Sequence, residues 1–420
     1  MTTHTQHARY LLPLAYLVGA IGLGSVGPVQ AQMEDEGGAA GLQNASTGVN
    51  DSGIVVGTAR AGNSSSPAQA WVALTSGTET VLPALVSGQS CGATMIADSG
   101  TIVGSCLDAN GRPQAVTWNA NNPTVGPQQL QPIGGQYVTV ASGVNQGGVV
   151  IGASIAQNGD AAPVLWPAGS TTPISVTGIL PMLNCVPVDV SDVNVNGGPV
   201  VTVDCPSPTD PGTMEGAIAV EGLLGYAVTY LALPANAKTC IATGMVNTNV
   251  TSVQVGGTCY INGTPQAAYW ANASNPPTLL SGTDSSGTAI VRSGGAFINN
   301  SGNMLFAYQN ASGIRNVGYW NPVANTPPIT LPVPNSLGGH HVSIVSLGDN
   351  NVACLNAETS GQTLHAAIWS PLASPLTLVD QGTEFGGASS EFASCSQNGT
   401  QGAGDAEGAG GNDNAFADPL

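Results

Sequence analysis

One motif recurs about eight times along this chain, at a spacing close to 49 residues. A short run of small and apolar residues ends in tryptophan, and all six tryptophans of the sequence fall on this pattern: Trp71, Trp118, Trp166, Trp270, Trp320 and Trp369. Two degenerate copies, at Ala219 and Ala417, complete a ladder with steps of 47 to 53 residues. Such periods are typical of folds in which each unit buries its apolar faces only against its neighbours.

A second signature precedes four of the tryptophan runs and predicts strands. A polar turn leads into a β-branched run in the segments Val49–Gly57, Ala97–Gly104, Val144–Gly152 and, more loosely, Asn299–Leu305. Asn-Gly, Asp-Ser-Gly and Gly-Gly pairs are typical of hairpin turns. No apolar period of 3.6 residues is sustained after the first thirty residues, so the chain is expected to be all-β.

Each period accommodates four strands. In the second module the expected strands are 93–97, 100–106, 113–118 and 128–133. Four-stranded units of about 40–50 residues predict a β-propeller, here of eight modules in seven or eight blades, with a linear β-solenoid as the main alternative. The tryptophans are then expected to pack between blades, rather than to form an exposed ring that stacks on sugars. The last module stops at Leu420 after its third strand, which predicts a final blade of three strands.

These motifs resemble the HAF-type extracellular repeat of bacterial secreted proteins. The resemblance covers roughly residues 40 to 420 and lies in the polar turn, the Val-Val-Gly run and the later Ala-aromatic-Trp. Modules 4 and 8 depart from it by lacking the tryptophan, and module 7 departs by reading Asp349-Asn350-Asn351 at the turn. The resemblance implies an exported, propeller-like protein and carries no catalytic residue with it.

The first 31 residues read as a secretory signal peptide. Arg9 precedes an apolar stretch from Leu11 to Gly24, and small residues stand before an expected cleavage site at Gln32. The apolar stretch is shorter than a membrane-spanning helix needs. Residues 32–40 form an acidic, glycine-rich segment, and residues 41–420 form the repeat domain. The expected location is therefore secreted, extracellular or periplasmic, with no transmembrane segment in the mature chain.

Charge excludes whole classes of partner. Six Lys and Arg stand against 24 Asp and Glu, a net charge of −18. Nucleic acid is excluded as a partner, because too few cations are available to neutralise phosphates. Anionic lipid surfaces are disfavoured for the same reason.

Eight cysteines in an exported chain predict disulfides. The repeat register places three pairs across the first hairpins of their modules, Cys91 with Cys106, Cys185 with Cys205, and Cys240 with Cys259. Cys354 and Cys395 remain, and could link modules 7 and 8. A metal site is the alternative, but no C-x-x-C spacing occurs.

Candidate chemistry is sparse. Asp192, Asn194 and Asn196 match the start of a calcium loop, although Val203 stands at the twelfth position in place of glutamate. An ordinary hairpin turn explains the same residues, so calcium is the one cofactor left open. Gly88–Gly92 matches a G-x-S-x-G elbow without the helix that this motif requires. The histidines His340, His341 and His365 cluster in module 7 and are expected to be ordinary surface or packing residues.

The sequence therefore favours a non-enzymatic propeller that binds an extracellular polysaccharide or a surface protein. Two alternatives stay open. One is a secreted carbohydrate-active enzyme with paired carboxylates in the channel, drawn from Asp98, Asp189 or Asp349. The other is a purely structural protein of an envelope or matrix.

Overall fold

The structure of the chain is a computed structural model. It describes residues 34–35, 42–61, 66–74, 79–178, 184–210, 212–246, 253–284, 286–324, 326–331, 342–359, 361, 363–373, 377–380, 386–408 and 413–420. Within these ranges every regular element is a strand, and the strands form eight separate four-stranded antiparallel sheets. The expected signal peptide lies outside the described residues.

The sheets are the blades of an eight-bladed β-propeller, and the blades follow one another in chain order. The first strands are β2 (Leu42–Val49), β6 (Cys91–Ile96), β10 (Val138–Val144), β14 (Val186–Val195), β18 (Ala237–Val246), β22 (Ile290–Ile298), β26 (Val342–Leu347) and β30 (Gly386–Cys395). The second strands are β3 (Val55–Ala61), β7 (Thr101–Leu107), β11 (Val150–Ile155), β15 (Gly198–Pro206), β19 (Gln254–Ile261), β23 (Met304–Asn310), β27 (Ala353–Glu358) and β31 (Gln401–Gly408).

Third and fourth strands complete each blade. The third strands are β4 (Gln69–Ala73), β8 (Pro113–Asn119), β12 (Ala161–Trp166), β16 (Met214–Gly222), β20 (Thr264–Trp270), β24 (Arg315–Trp320), β28 (Leu364–Ser370) and β32 (Asp413–Pro419). The fourth are β5 (Glu79–Val81), β9 (Gln128–Gln129), β13 (Ile174–Ser175), β17 (Gly225–Tyr230), β21 (Thr278–Leu279), β25 (Ile329–Thr330), β29 (Thr377–Asp380) and, from the N-terminus, β1 (Glu34–Asp35). The first strands of successive blades approach one another, so they surround the central channel.

The N-terminal strand closes the ring, and the expectation of a three-stranded final blade is wrong. β1 pairs with β32 in the antiparallel sense, through Glu34 with Ala417 and Asp35 with Phe416. Backbone hydrogen bonds do not depend on side-chain character, so an acidic segment can serve as an edge strand. Blade 8 thus takes three strands from one end of the chain and one from the other.

Hydrophobic cores lie between neighbouring blades rather than inside any one of them. Each of the eight clusters of buried apolar residues draws mainly on two adjacent blades. In the cluster between blades 1 and 2, for example, Val56 and Val72 meet Ile102, Val116 and Trp118. A blade by itself would leave both of its apolar faces in water, and this is why the repeats close into a ring.

The tryptophans pack between blades, as predicted. All six are at most 5% exposed. Three of them also donate an indole hydrogen bond to the connection that follows the preceding blade: Trp118 Nε1 to Pro83 O at 2.9 Å, Trp166 Nε1 to Gln131 O at 3.0 Å, and Trp270 Nε1 to Ala232 O at 2.9 Å. Such an acceptor satisfies a buried indole N–H, whereas those of Trp71 and Trp369 have no partner among the described residues. The alternative of an exposed sugar-stacking ring is therefore wrong.

The structure corrects the ladder at its first step. Gly57 in blade 1 is equivalent to Gly104 in blade 2. Trp71 pairs with Gly57, whereas Trp118 pairs with Ile102, two residues before Gly104. Ala73 occupies the position in blade 1 that tryptophan holds in blade 2. Residues two apart on a strand share a face, so Trp71 still enters the same apolar layer.

A β-bulge in the first strand explains the glycine of the Val-Val-Gly run. In blades 1, 2, 3, 5 and 8 the bulge turns a carbonyl toward a glycine of the second strand. A Cβ placed on Gly57, Gly104, Gly152, Gly257 or Gly404 would lie only 1.9 to 2.2 Å from that carbonyl oxygen. Only glycine allows the two backbones to come so close.

The cysteine pairs are those that the repeat register predicts. Cys91–Cys106, Cys185–Cys205 and Cys240–Cys259 each cross the first hairpin of a blade, and Cys354–Cys395 joins blade 7 to blade 8. Four disulfides are typical of proteins that fold outside the reducing cytoplasm. Among the described residues there is no helix long and apolar enough to cross a membrane.

Candidate functional site

The turns between first and second strands lie side by side around one mouth of the channel. At the first position of several turns, an asparagine side chain donates to a backbone carbonyl of the next blade. Asn50 Nδ2 lies 3.3 Å from Ala97 O, and Asn145 Nδ2 lies 2.7 Å from Ser191 O. Blades 6 and 7 repeat the contact. The polar turns read from the sequence thus hold neighbouring blades together.

The second position of these turns carries the aspartates. A backbone N–H of one turn donates to the aspartate of the next in four places: Asp51 N to Asp98 Oδ1 at 2.8 Å, Gln146 N to Asp192 Oδ1 at 2.7 Å, Asn300 N to Asp349 Oδ1 at 2.8 Å, and Asn398 N to Asp51 Oδ1 at 2.9 Å. We call Asp51, Asp98, Asp192 and Asp349 the acid ring. The contact from Asn398 to Asp51 connects blade 8 to blade 1 and so closes the ring at its seam.

One side-chain contact crosses the channel mouth. Gln397 Nε2, in blade 8, donates to Asp192 Oδ2, in blade 4, at 3.0 Å. Blades 4 and 8 stand opposite each other in an eight-bladed ring, so this hydrogen bond spans the opening. The first strand of blade 4 carries a further irregularity between Val190 and Asn194, the segment that contains Asp192.

Negative charge is concentrated at this mouth. Within the described part of the chain, none of the four acids forms an ion pair. Burial raises the pKa of Asp98, and the charges of Asp51 and Asp192 raise it further, against a lowering by the backbone amide of Asp51. A cation at the mouth would relieve this repulsion.

Asp189, a predicted channel acid, lies on the first strand of blade 4 and is not one of the acids that accept a turn N–H in the acid ring. It accepts hydrogen bonds from Val190 N at 2.8 Å and from Met245 N of blade 5 at 2.9 Å. Burial raises its pKa to about 6, despite these two amides. Asp204 accepts from Ala242 N at 2.9 Å, and burial raises its pKa to about 7. Both acids join blade 4 to blade 5 and have amide partners, so their position indicates a structural role.

The calcium candidates engage separate partners. Asp192 belongs to the acid ring, Asn194 pairs with Pro199 in the hairpin, and Asn196 donates to Glu221 O at 3.3 Å from a turn with a φ of 56°. In the described ranges, no group of three His, Cys, Asp or Glu side chains is arranged to hold a metal ion. Calcium binding by these residues stays a prediction of the sequence.

The serine and histidine candidates are not brought together. Ser90 Oγ accepts from Ala68 N at 3.1 Å, immediately before a strand rather than on a strand-to-helix turn. His365 pairs with Asp380 at 3.0 Å, in blade 7. That hydrogen bond raises the pKa of His365. His340 and His341 lie outside the described residues.

Sequence reasoning identified two of the four ring acids as channel acids and missed the ring itself. Asp98 and Asp349 were expected to face the channel, Asp192 was assigned to calcium, and Asp51 was not singled out. The second position of each polar turn was the signal available in the sequence. What the repeat alone could not show is that these turns touch, because contacts between adjacent blades depend on ring closure.

No protein-family model matches the chain, and no curated protein matches it. Solved structures similar to it include the β-propeller domain of the trilobed protease from Pyrococcus furiosus, with 8% identity over 81% of this chain and 98% of that one, at a TM-score of 0.47. A puromycin hydrolase is similar at 13% identity and a TM-score of 0.48, over 74% of this chain and 49% of that one. Prolyl oligopeptidase B from Galerina marginata is similar at 10% identity and a TM-score of 0.48, over 81% and 50%.

This chain therefore matches only about half the length of the hydrolase and of the oligopeptidase. These three neighbours are described as a hydrolase, an oligopeptidase and a domain of a protease, which stands against the expectation of a non-enzymatic binding protein for polysaccharide or a protein partner. At such low identity the likeness establishes the propeller fold and no reaction for this chain.

Proposed function

We propose that this chain is an exported, protease-related propeller that admits extended polypeptide at the acid ring and passes it to a hydrolytic centre outside the described residues. The observation that carries the proposal is the hydrogen bond between Gln397 and Asp192. Among the described residues it is the side-chain contact that spans the channel mouth. We infer a mouth that is closed at rest and opens at small cost, since a hydrogen bond contributes about 1–3 kcal/mol.

Charge supports a basic polypeptide as the substrate. The acid ring is an array of carboxylates with no cation paired to it among the described residues, on a chain whose net charge is −18. Lysine, arginine or a free amino terminus would be attracted, and anionic chains would be repelled. A narrow channel mouth also favours an extended segment over a folded domain.

The peptidase connection and the location belong to the same proposal. Ser90 and His365 sit in different parts of the ring and form no catalytic pair, so the bond-breaking residues are assigned to a partner or to segments outside the described ranges. The expected signal peptide, the four disulfides and the resemblance to HAF-type repeats support export. Together these features suit an extracellular or periplasmic peptide-degrading system.

Peptides of equal length and different charge test this function. Fluorescence anisotropy on the purified mature protein would compare lysine-rich, neutral and glutamate-rich peptides, and mass spectrometry would follow any cleavage. We expect the lysine-rich peptide to bind most tightly. Asp192→Asn should weaken it about two- to fivefold, the value of one exposed charge contact.

Asp160→Asn is the matched control, because Asp160 is an aspartate outside the acid ring whose side chain accepts a hydrogen bond from its near neighbour Asn158. Gln397→Ala should speed association, since it removes the contact across the mouth. Equal binding of all three peptides, or an Asp192→Asn variant that binds like the wild type, would refute the proposed function.

A further inference from the structure

One hydrogen bond between neighbouring blades recurs near the start of the third strand. In blade 2, Ala115 N donates to Thr139 Oγ1 of blade 3 at 2.9 Å. In blade 7, Ala366 N donates to Ser390 Oγ of blade 8 at 3.1 Å. The boundary between blades 2 and 3 and the boundary between blades 7 and 8 therefore correspond residue by residue in this region.

The residue just before each of these alanines bonds to a carbonyl of the next blade. In blade 2 this residue is Gln114, whose Nε2 donates to Tyr137 O at 2.9 Å. In blade 7 it is His365, whose ring forms a hydrogen bond with the carbonyl of Ala388, the residue equivalent to Tyr137. A side-chain amide donates at any ordinary pH, whereas a ring nitrogen of histidine donates only while it carries a proton. The boundary between blades 7 and 8 thus has a titratable donor where the other boundary has a neutral one.

Asp380 determines which nitrogen of His365 is left for blade 8. Its two carboxylate oxygens lie 3.0 and 3.1 Å from Nδ1, so Nδ1 donates to Asp380 and Nε2 is the atom available to Ala388. A neutral imidazole has a single N–H, and only the imidazolium ion donates from both nitrogens. Loss of the proton therefore leaves either the Asp380 carboxylate or the Ala388 carbonyl facing a nitrogen lone pair.

The charged side chains on the strands next to this ring are all acids. Besides Asp380 on β29, they are Glu358 on β27, Glu391 on β30, and Asp405 and Glu407 on β31. Residues 342–420 include no Lys or Arg. The hydrogen bond to Asp380 raises the pKa of His365, burial lowers it, and the charge of Asp380 and the Ala388 carbonyl raise it again. Because this raised pKa belongs to the folded state, the stabilisation is fully present below the ordinary value of 6.5 and is lost as the pH rises through the folded-state pKa.

We propose that His365 is a pH-sensitive clamp on the boundary between blades 7 and 8. At acidic pH the imidazolium ion joins Asp380 of blade 7 to the Ala388 carbonyl of blade 8, and at mildly alkaline pH this connection is lost. Cys395, at the other end of β30, is bonded to Cys354 of blade 7, so the start of β30 is the part that is released. The clamp involves neither the acid ring nor a peptide, so it is independent of the proposed function.

Hydrogen exchange of the mature protein between about pH 5 and 9 tests the clamp, with rates corrected for the intrinsic pH dependence of amide exchange. We expect protection in the first half of β30 to fall about three- to tenfold as the pH rises, the value of one hydrogen bond. His365→Gln installs the amide that blade 2 uses, so protection there should not depend on pH in this variant. The start of β10, which follows Tyr137, is the internal control and should stay constant in both proteins.

An NMR titration of the histidine rings gives a second readout. The resonance that is missing from His365→Gln belongs to His365, and its midpoint should lie above the ordinary 6.5. Asp380→Asn should move this midpoint and the exchange transition together to lower pH, and this variant decides the question if His365→Gln fails to fold. The proposal is overturned if protection of β30 in the wild type does not change with pH, if it changes equally in His365→Gln, or if Asp380→Asn leaves both transitions in place.

Discussion

Replacing Gly152 with alanine should strongly destabilise the propeller, although it adds only one methyl group. Gly152 stands in the second strand of blade 3, opposite the bulge of the first strand. A Cβ on this residue would lie 2.0 Å from Val140 O and 2.9 Å from both Val140 C and Ala141 Cα. All three atoms belong to backbone, so no side-chain rotation can make room.

The size of the effect follows from the distance that must be recovered. Contacts to Cβ below 3.0 Å do not occur, so the two strands have to separate by at least about 1 Å or the bulge has to rearrange. Overpacking costs about 1–3 kcal/mol in cores that can relax. We expect about 3 kcal/mol or more here, because the displaced atoms are part of a hydrogen-bonded ladder.

Thermal unfolding followed by tryptophan fluorescence would measure this loss. For a domain of roughly 380 residues, an unfolding entropy of about 0.8 kcal/mol/K converts 3 kcal/mol into a fall in Tm of about 4 °C. Gly134→Ala is the control, since no atom lies within 4 Å of a Cβ placed there, and its Tm should stay unchanged or rise slightly. Equal Tm values for Gly152→Ala and Gly134→Ala would refute the coupling between bulge and glycine.

Three further predictions concern stability. Removing the disulfide Cys354–Cys395, which closes a 41-residue loop, should lower the free energy of unfolding by about 4 kcal/mol, against about 3 kcal/mol for the 15-residue loop of Cys91–Cys106. Urea unfolding of the two double Cys→Ala variants should give this order. The reverse order would contradict the loop-entropy argument. The folded-state pKa of Asp204, about 7, lies above its ordinary 3.8, so the folded state holds an extra proton between these values and stability should fall as pH rises from about 4 to 7. Asp204→Asn should flatten that dependence in denaturant titrations, and an unchanged slope would assign it to another group. A chain that begins at residue 42 lacks β1, so hydrogen exchange should quicken in β32 but not in β31, and unchanged protection of β32 would show that its pairing with β1 is dispensable.

Local sequence carried much of the architecture. The turn residues typical of hairpins and the period near 49 residues predicted four-stranded modules. The strands expected in the second module lie within a few residues of those observed. The disulfides followed from the same register, because two cysteines placed symmetrically about a hairpin turn face each other across adjacent strands. These are short-range relations, and the chain itself contains all the information that they need.

Other features depend on contacts between blades. The repeat suggested that Trp71 and Trp118 are equivalent, but strand pairing shows that their positions differ by two residues. The sequence tolerates this difference because both positions place the indole ring in the same apolar layer. The N-terminal strand joined blade 8 although its acidic composition argued against it. Pairing at the edge of a sheet uses backbone hydrogen bonds, so no pattern of side chains in the sequence predicts which segment pairs there.

The repeat, the β-sheet content, the cysteine register and the acidity of this protein were determined by the sequence by itself, since each depends on residue type and spacing along the chain. Only the tertiary structure decided that Asp51, Asp98, Asp192 and Asp349 form one ring, and that Gln397 reaches Asp192 across the channel. The physical reason is closure: residues of a turn meet those of the next blade, or of the opposite one, only when all eight blades complete the circle.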